Sequence, residues 1–388
     1  MTQKLTCTHF SVCGGCTALN VPYEEQLEKK RASLERLFSD WEVAVPPVVP
    51  SPRPVHYRHK VQLPFGSSGK GSGRRLTLGC YVSDSHKVEN QRECLLQDRD
   101  LTASAHAVRD WAHATGFGAY DERSGRGYFR HVLLRRGAGT GEILIGIVTN
   151  GPRPPSSRNL ARSLVDRING VIRDSRVVGV VQNINTRRTN VVLGQREEVW
   201  WGRPFLKEML GPFQFRVGMS TFFQVNPFQT PRLYDLIRRW IPQGAAVLDV
   251  YCGVGSITLW LSEKASRVCG IEENRHSVKV ARESASHNRL RNVRFYAGGA
   301  SEMIPDFAGR FDVVVVDPPR KGLEAEVVSA LNSSPLKRVV YVSCNPRTLA
   351  RDVGLLSGYR LVSLSGVDMF PHTEHVESVA VLERVPRK

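Results

Sequence analysis

Cys344 lies in the run V-V-Y-V-S-C-N-P-R-T-L, residues 339–349. Its neighbours set it apart from the other cysteines. The Val- and Tyr-rich stretch reads as a buried strand, and Pro346 ends further pairing, so the thiol falls where strand gives way to turn. In open α/β sheets that carboxyl edge is where ligands are handled. Most free cysteines are small buried thiols without chemistry. Here Ser343, Asn345 and Arg347 around it are polar or turn-forming, and we read Cys344 as a nucleophile. Two candidate bases follow in D-M-F-P-H-T-E-H-V-E: Glu374 in a polar turn, and Glu377 at the head of a last strand. Each has the alternative of a plain surface carboxylate. A thiol with a base suits one difficult alkylation. Carbon 5 of a pyrimidine takes a methyl group only after a thiolate adds to carbon 6, and a base must then remove the proton from carbon 5 so that the thiol can leave. Asp317, with Gln224, would hold base and methyl donor in register.

A donor site is legible upstream. Ala246–Val250 is an apolar strand, followed by Tyr251-Cys252-Gly253-Val254-Gly255-Ser256 and a helix beginning I-T-L-W-L. Gly253 and Gly255 permit close backbone approach to a ligand at that helix's N-terminus. The strand R-V-C-G-I ends at Glu272, an acid placed to hold the two hydroxyls of a ribose. The third glycine of a dinucleotide fingerprint is missing, so a nucleoside without pyrophosphate, S-adenosylmethionine, fits better than NAD. The strand ending V-V-V-V delivers Asp317 to the same edge, in D-P-P-R-K-G. Amino-group methylation of adenine needs an aromatic after the two prolines, and Arg320 stands there instead.

Cys7, Cys13 and Cys16 form C-x5-C-G-G-C. Gly14 and Gly15 allow the tight turn that brings thiolates to one centre. A fourth ligand would come from Cys80 or Cys94, and spacing alone leaves zinc and an iron–sulfur cluster both open. His9 is a weaker candidate. Met1–Lys4 lead into these cysteines without an apolar h-region, and no apolar run reaches membrane-helix length. Cytoplasmic location, no membrane partner and metal or catalytic use of the cysteines are therefore expected. With 54 Lys and Arg against 37 Asp and Glu, the formal charge is +17. No acid occurs between Glu42 and Asp84, whereas Arg53, Arg58, Lys60, Lys70, Arg74 and Arg75 do. A polyanion partner, nucleic acid, is the natural expectation.

The elements needed to carry these residues divide into two patterns. Pro22–Phe38 reads as an amphipathic helix with Leu27, Leu34, Leu37 and Phe38 on one face. Trp41–Pro54 is a proline-rich extended connector. From Tyr57 to about Val199, alternating runs (K-V-Q-L-P-F, L-T-L-G-C-Y-V, H-V-L-L-R-R, E-I-L-I-G-I-V and N-V-V-L) predict a largely antiparallel sheet, with helices near 98–115 and 157–168. After Phe213 strand and helix alternate, as in a parallel α/β sheet. Two domains are expected, 1–212 and 213–388, with helix 22–38 packing on the second.

The chain resembles the RNA uracil-5-methyltransferases. The shared motifs stand in order: S-T-F-F-Q-V-N-P at Ser220–Pro227, D-V-Y-C-G-V-G at Asp249–Gly255, D-P-P-R-K-G at Asp317–Gly322, S-C-N-P at Ser343–Pro346 and F-P-H-T-E-H-V-E at Phe370–Glu377. The resemblance implies an α/β fold: a Rossmann-like class I methyltransferase domain with a parallel-rich sheet, preceded by an α+β, mainly antiparallel RNA-binding domain carrying a four-cysteine site. It implies Cys344 as nucleophile, Glu377 as base, and S-adenosylmethionine held by Gln224, Tyr251, Glu272 and Asp317. It also implies a 4Fe-4S cluster on Cys7, Cys13, Cys16 and Cys94, a motif in which Cys80 has no place. Relatives that start with a small RNA-binding barrel differ from this chain, which looks most like the shorter members that modify 23S ribosomal RNA; tRNA is the alternative substrate, and a monomer is expected. Gly298-Gly299 replaces a polar residue expected near the adenine. A cytosine-5 enzyme would carry a cysteine where Arg320 stands. A non-catalytic RNA-binding protein or chaperone would explain the charge but not Cys344 with Glu377.

Overall fold

The computed structural model describes residues 5–69 and 75–386; Met1–Lys4, Lys70 and Arg74 of the sequence reading lie outside the described residues. The chain begins with helix α1 (Tyr23–Leu37) and continues through β1 (Lys60–Ser68), β2 (Arg75–Tyr81), β3 (Val88–Asn90), α2 (Arg99–Ala114), β4 (Phe129–Arg136), β5 (Glu142–Thr149), α3 (Ser157–Asn169), β6 (Arg176–Ile184) and β7 (Arg196–Gly202). These strands form a sheet in the order β3-β2-β1-β4-β5-β6-β7. Every pairing is antiparallel except β5 with β6, which are parallel and joined by α3.

Period-two alternation divides this sheet's side chains between two cores. Val61, Leu63, Leu134 and Ile145 meet α2 and α3 through Val108, Trp111 and Leu164. Leu133, Leu144, Val148 and Val181 face the other way. There they pack on a hairpin, β8 (Phe205–Leu210) with β9 (Phe213–Gly218). The expected boundary at 212/213 thus falls in the turn of that hairpin. One local expectation needs correction. N-V-V-L, residues 190–193, is not a strand: Val191 is exposed, and the Asn185 amide donates to the carbonyls of Val191 and Val192, fixing a loop. The strand runs instead over the Trp-bearing β7, and β6 was not anticipated.

The second half supplies α4 (Thr230–Arg239), β10 (Ala246–Val250), α5 (Ser256–Leu261), β11 (Arg267–Glu272), α6 (Arg275–His287), β12 (Val293–Ala297), α7 (Ala300–Ala308), β13 (Val313–Val316), α8 (Ala325–Ser333), β14 (Arg338–Ser343), α9 (Pro346–Leu355), β15 (Tyr359–Val367) and β16 (Glu377–Arg384). Its sheet runs β12-β11-β10-β13-β14-β16-β15, with β16 alone antiparallel to its neighbours. This is the α/β, parallel-rich arrangement expected. Fully buried Val and Leu on both faces give it continuous apolar strands.

Helix α1 packs on this second sheet, its Leu34 and Phe38 sharing a core with β15 and α9 residues. The connector after it stays extended and bridges Val49 to Val367. Among the described residues no helix is long and apolar enough to cross a membrane.

Candidate active site

Register places the chemistry. In the antiparallel pair β14–β16, Ser343 is opposite Ser378. Cys344, the residue after β14, and Glu377, the first residue of β16, flank that last rung, and the Glu377 carboxyl acts on the Cys344 thiol. On the other side of β14, Val316 pairs with Tyr341 and with Val250. Asp317 and Tyr251 consequently leave their strands at the same edge, as does Glu272, one residue beyond the Val250–Ile271 rung. Two loops are then locked together. Asn345 caps α9 through the Arg347 N–H, and its amide donates to the Arg320 carbonyl at 3.1 Å. Asp352, with no exposure, accepts from Leu323 N and Tyr341 Oη.

Burial separates the two glutamates. Glu374 is exposed, whereas Glu377 is 3% exposed. Burial, reinforced by the Asp317 carboxylate, pushes the Glu377 carboxyl well above its usual range, and the Arg320 guanidinium pulls against that rise. Burial also raises Asp317. Burial raises the Cys344 thiol, as do Glu377 and Asp317, again opposed by Arg320. One cation thus holds a thiol and one carboxyl, Cys344 and Glu377, closer to ionisation. If ionised Glu377 and thiolate are the working forms, activity rises with pH. Arg320→Leu is expected to move that ascending limb to higher pH by roughly one unit, read from single-turnover rates at saturating RNA. An unmoved limb would remove Arg320 from the pair's electrostatics.

The loop between β10 and α5 has Tyr251 at φ 65°, Gly253 at 54° and Gly255 at 81°. A Cβ on Gly255 would stand 2.7 Å from Phe295 Cζ, while one on Gly253 would meet nothing within 4 Å, leaving room for a ligand against that backbone. Glu272 Oε2 accepts from Gly253 N at 3.1 Å and Oε1 from Asn274 N at 2.8 Å, which fixes the acid beside the loop. Asp249 accepts from Thr258 Oγ1, and its Oδ1 has no partner among the described residues. A Cβ on Gly298 would come within 2.4 Å of Met303 Sδ, so a larger residue there displaces that methionine side chain. Gln224 is half-buried on the loop from β9 to α4. That loop is pinned by Arg135, which donates to the Thr221 and Met219 carbonyls, by His59 N to Val225 O at 2.9 Å, and by Asn226 Nδ2 to Met369 O at 3.1 Å. Phe222, on the same loop, is 65% exposed, an aromatic ring without cover. The sequence reading passed over Phe222 and the role of Arg320. The paired phenylalanines of S-T-F-F and the cation directly after D-P-P were the available signals.

Far from these residues in sequence, Cys7, Cys13, Cys16 and Cys94 border one small cavity of about 30 Å³. Cys80 borders it too, although the motif had no place for it. Its thiol hydrogen-bonds Cys13, lowering the Cys13 pKa, while burial raises Cys16 to about 11 and also raises Cys94. Among the described residues no three His, Cys, Asp or Glu side chains converge as a ready ligand set for a metal ion.

Comparison with known proteins then decides the family. The family described as tRNA (Uracil-5-)-methyltransferase matches residues 212–385. An uncharacterized RNA methyltransferase of Leptospira interrogans is 41% identical over 98% of this chain and 98% of its own length. The chain belongs to the RNA uracil-5-methyltransferase family. A second relative of this RNA methyltransferase, from Halalkalibacterium halodurans, is 39% identical, covering 97% of the chain and 82% of that protein. Among solved structures, the Pyrococcus abyssi tRNA (uracil-54, C5)-methyltransferase in complex with S-adenosyl-L-homocysteine superposes with a TM-score of 0.76 at 28% identity, covering 96% of this chain and 86% of that one. The enzyme is an S-adenosylmethionine-dependent RNA methyltransferase, and the room left against Gly253 fits such a cosubstrate.

Proposed function

We propose that the enzyme methylates carbon 5 of a uridine in RNA by covalent catalysis, with Cys344 as nucleophile and Glu377 as base. The observation that carries this reading is proximity: Cys344 directly follows the Ser343–Ser378 rung, Glu377 directly precedes it, and the buried Glu377 carboxyl acts on the Cys344 thiol. S-adenosylmethionine supplies the electrophilic methyl group. Cys344 Sγ forms a bond to carbon 6, and the displaced electron pair makes carbon 5 nucleophilic. Carbon 5 takes the methyl group as the S–CH3 bond breaks and S-adenosylhomocysteine leaves, and a Glu377 oxygen then takes the proton from carbon 5. The freed pair restores the 5,6 double bond and expels the thiolate. Asp317 and Arg320 bracket both groups, the carboxyl restraining premature ionisation and the guanidinium opposing it. Glu272 and Tyr251 flank the nucleoside part of the cosubstrate, over Gly253 and Gly255, and Gln224 reaches in from the pinned loop. Phe222 offers a stacking face to a base that has left its helix.

Residues 1–212 act in this reading as the RNA-gripping part and 213–388 as the catalytic part. The substrate that the motif resemblance implies is 23S ribosomal RNA. A second reading, tRNA, is favoured by the substrate of the Pyrococcus abyssi neighbour. Incubating the enzyme with each RNA and a labelled methyl donor, then digesting to nucleosides, tests both. Label in 5-methyluridine from one RNA is expected; label in any other nucleoside would overturn the reading.

The cysteine cavity is proposed to hold a 4Fe-4S cluster on Cys7, Cys13, Cys16 and Cys94. These four are among the five cysteines that border one cavity, and a set of thiolates is the ligand chemistry an iron–sulfur group takes. Methyl transfer by a thiol and a carboxylate has no redox step, so the cluster's role is structural. Anaerobically purified protein should be brown and contain about four irons per chain. Stoichiometric zinc without iron would discard the cluster.

A further inference from the structure

The cysteine-bearing segment is tied to the turn that leads into Glu377. The carbonyl of His372 accepts from Thr17 N and Ala18 N, both at 3.1 Å, directly after Cys16. Gln26 stitches the two together from α1. Its Oε1 accepts from His372 N at 2.9 Å, and its Nε2 donates to Ala18 O at 3.0 Å and Val21 O at 2.7 Å. A second tie runs through neighbouring residues 57 and 58. Tyr57 Oη donates to Pro371 O at 3.0 Å, and Arg58 donates to Gly15 O, between Cys13 and Cys16, at 2.9 Å.

These contacts are buried. Gln26 is 2% exposed and Tyr57 has no exposure. His372 holds a left-handed backbone, φ 63°, which a non-glycine residue keeps where its surroundings over-determine it. Five residues later the chain enters β16 at Glu377, with neither helix nor strand between. Nothing else in the mechanism uses Gln26, Tyr57 or His372.

We propose that the Cys7–Ala18 segment, through Gln26 and Tyr57, is a positioning device for the base: it fixes the Pro371–Val376 turn and so governs proton removal from carbon 5. The proposal rests on the assignment of Glu377 as base. Cys344 enters from β14 and does not depend on the turn. Loosening the ties should therefore leave addition to carbon 6 intact and slow the breakdown of the methylated adduct. A loss of overall stability would not discriminate between those two steps.

The test measures both steps in single turnovers with the full-length, metal-replete enzyme, comparing Gln26→Leu, Tyr57→Phe and the parent, with Glu377→Gln alongside. Tyr57→Phe removes a single oxygen from the core, so it keeps the test open should Gln26→Leu fail to fold. Adduct formation within about twofold of the parent is expected, with breakdown slowed roughly ten- to a hundredfold, as small misplacements of catalytic groups produce. Covalently bound RNA should then be visible on a denaturing gel. Equal slowing of both steps, or no trapped RNA from either variant while Glu377→Gln traps it, would overturn the positioning role. If Glu377→Gln also traps nothing, the base assignment fails instead.

Discussion

Glu377→Gln should stop with methylated RNA attached to Cys344. The variant keeps the thiol and the methyl donor site, so addition to carbon 6 and methyl transfer proceed, but an amide cannot take the proton from carbon 5. Loss of a general base typically costs 10²–10⁴-fold, enough for the adduct to accumulate as a slowly migrating band on a denaturing gel. The substitution is mild for the fold. Burial already favours the uncharged form of this carboxyl, and glutamine has nearly the same shape. Cys344→Ala should neither methylate nor become linked to RNA. Glu374→Gln is the control: Glu374 is exposed and should turn over normally. Trapping by Glu374→Gln would mean that the wrong carboxylate has been assigned. Activity in Cys344→Ala would end the covalent mechanism.

The parallel strands of the catalytic half were legible because their signals are local. Runs such as V-V-V-V, bounded by Asp317-Pro318-Pro319, fix a buried strand and its end together. Position placed Glu374 in a turn and Glu377 at a strand head, and burial now separates them. That register would put Glu377 beside Cys344 required knowing that β16 inserts between β14 and β15, which no local pattern carries. The first half was read less well. β6 was missed because R-V-V-G-V-V-Q-N-I reaches its parallel partner only through α3. The cysteine cavity is a different case: the residues offered both Cys80 and Cys94, the motif kept only Cys94, and both border the cavity. Helix α1 is the clearest case. Its apolar positions suggested a face of Leu27, Leu34, Leu37 and Phe38, yet the fully buried residues within the helix are Gln26, Lys30 and Leu34. Two polar side chains lie on the inner face because buried partners from the 368–372 segment meet them there.

Asp368→Ala is expected to be among the most damaging changes away from the nucleophile and base. Asp368 has no exposure and Lys30 is 4% exposed, with Lys30 Nζ 2.6 Å from Asp368 Oδ1. Burial depresses the Lys30 pKa, and Asp368 works against that shift. Tyr23 Oη donates to the other carboxylate oxygen at 2.8 Å, and Lys30 also reaches Phe370 O at 3.2 Å. Removing the carboxylate leaves an ammonium enclosed with one carbonyl, a situation that costs about 3–5 kcal/mol. Lys30→Met leaves the carboxylate to Tyr23 alone and should also be costly. The double variant Lys30→Met/Asp368→Leu should recover much of the loss, because neither buried charge remains. Urea unfolding of the four proteins measures the coupling. A coupling below about 0.5 kcal/mol, the range of independent sites, would show that the two charges do not depend on each other. The double variant also separates two roles of this pair. Stability should return, yet the hydrogen bond from Lys30 to Phe370 O at the head of the turn cannot. If anchoring that turn matters to Glu377, the stable double variant will still resolve its RNA adduct slowly.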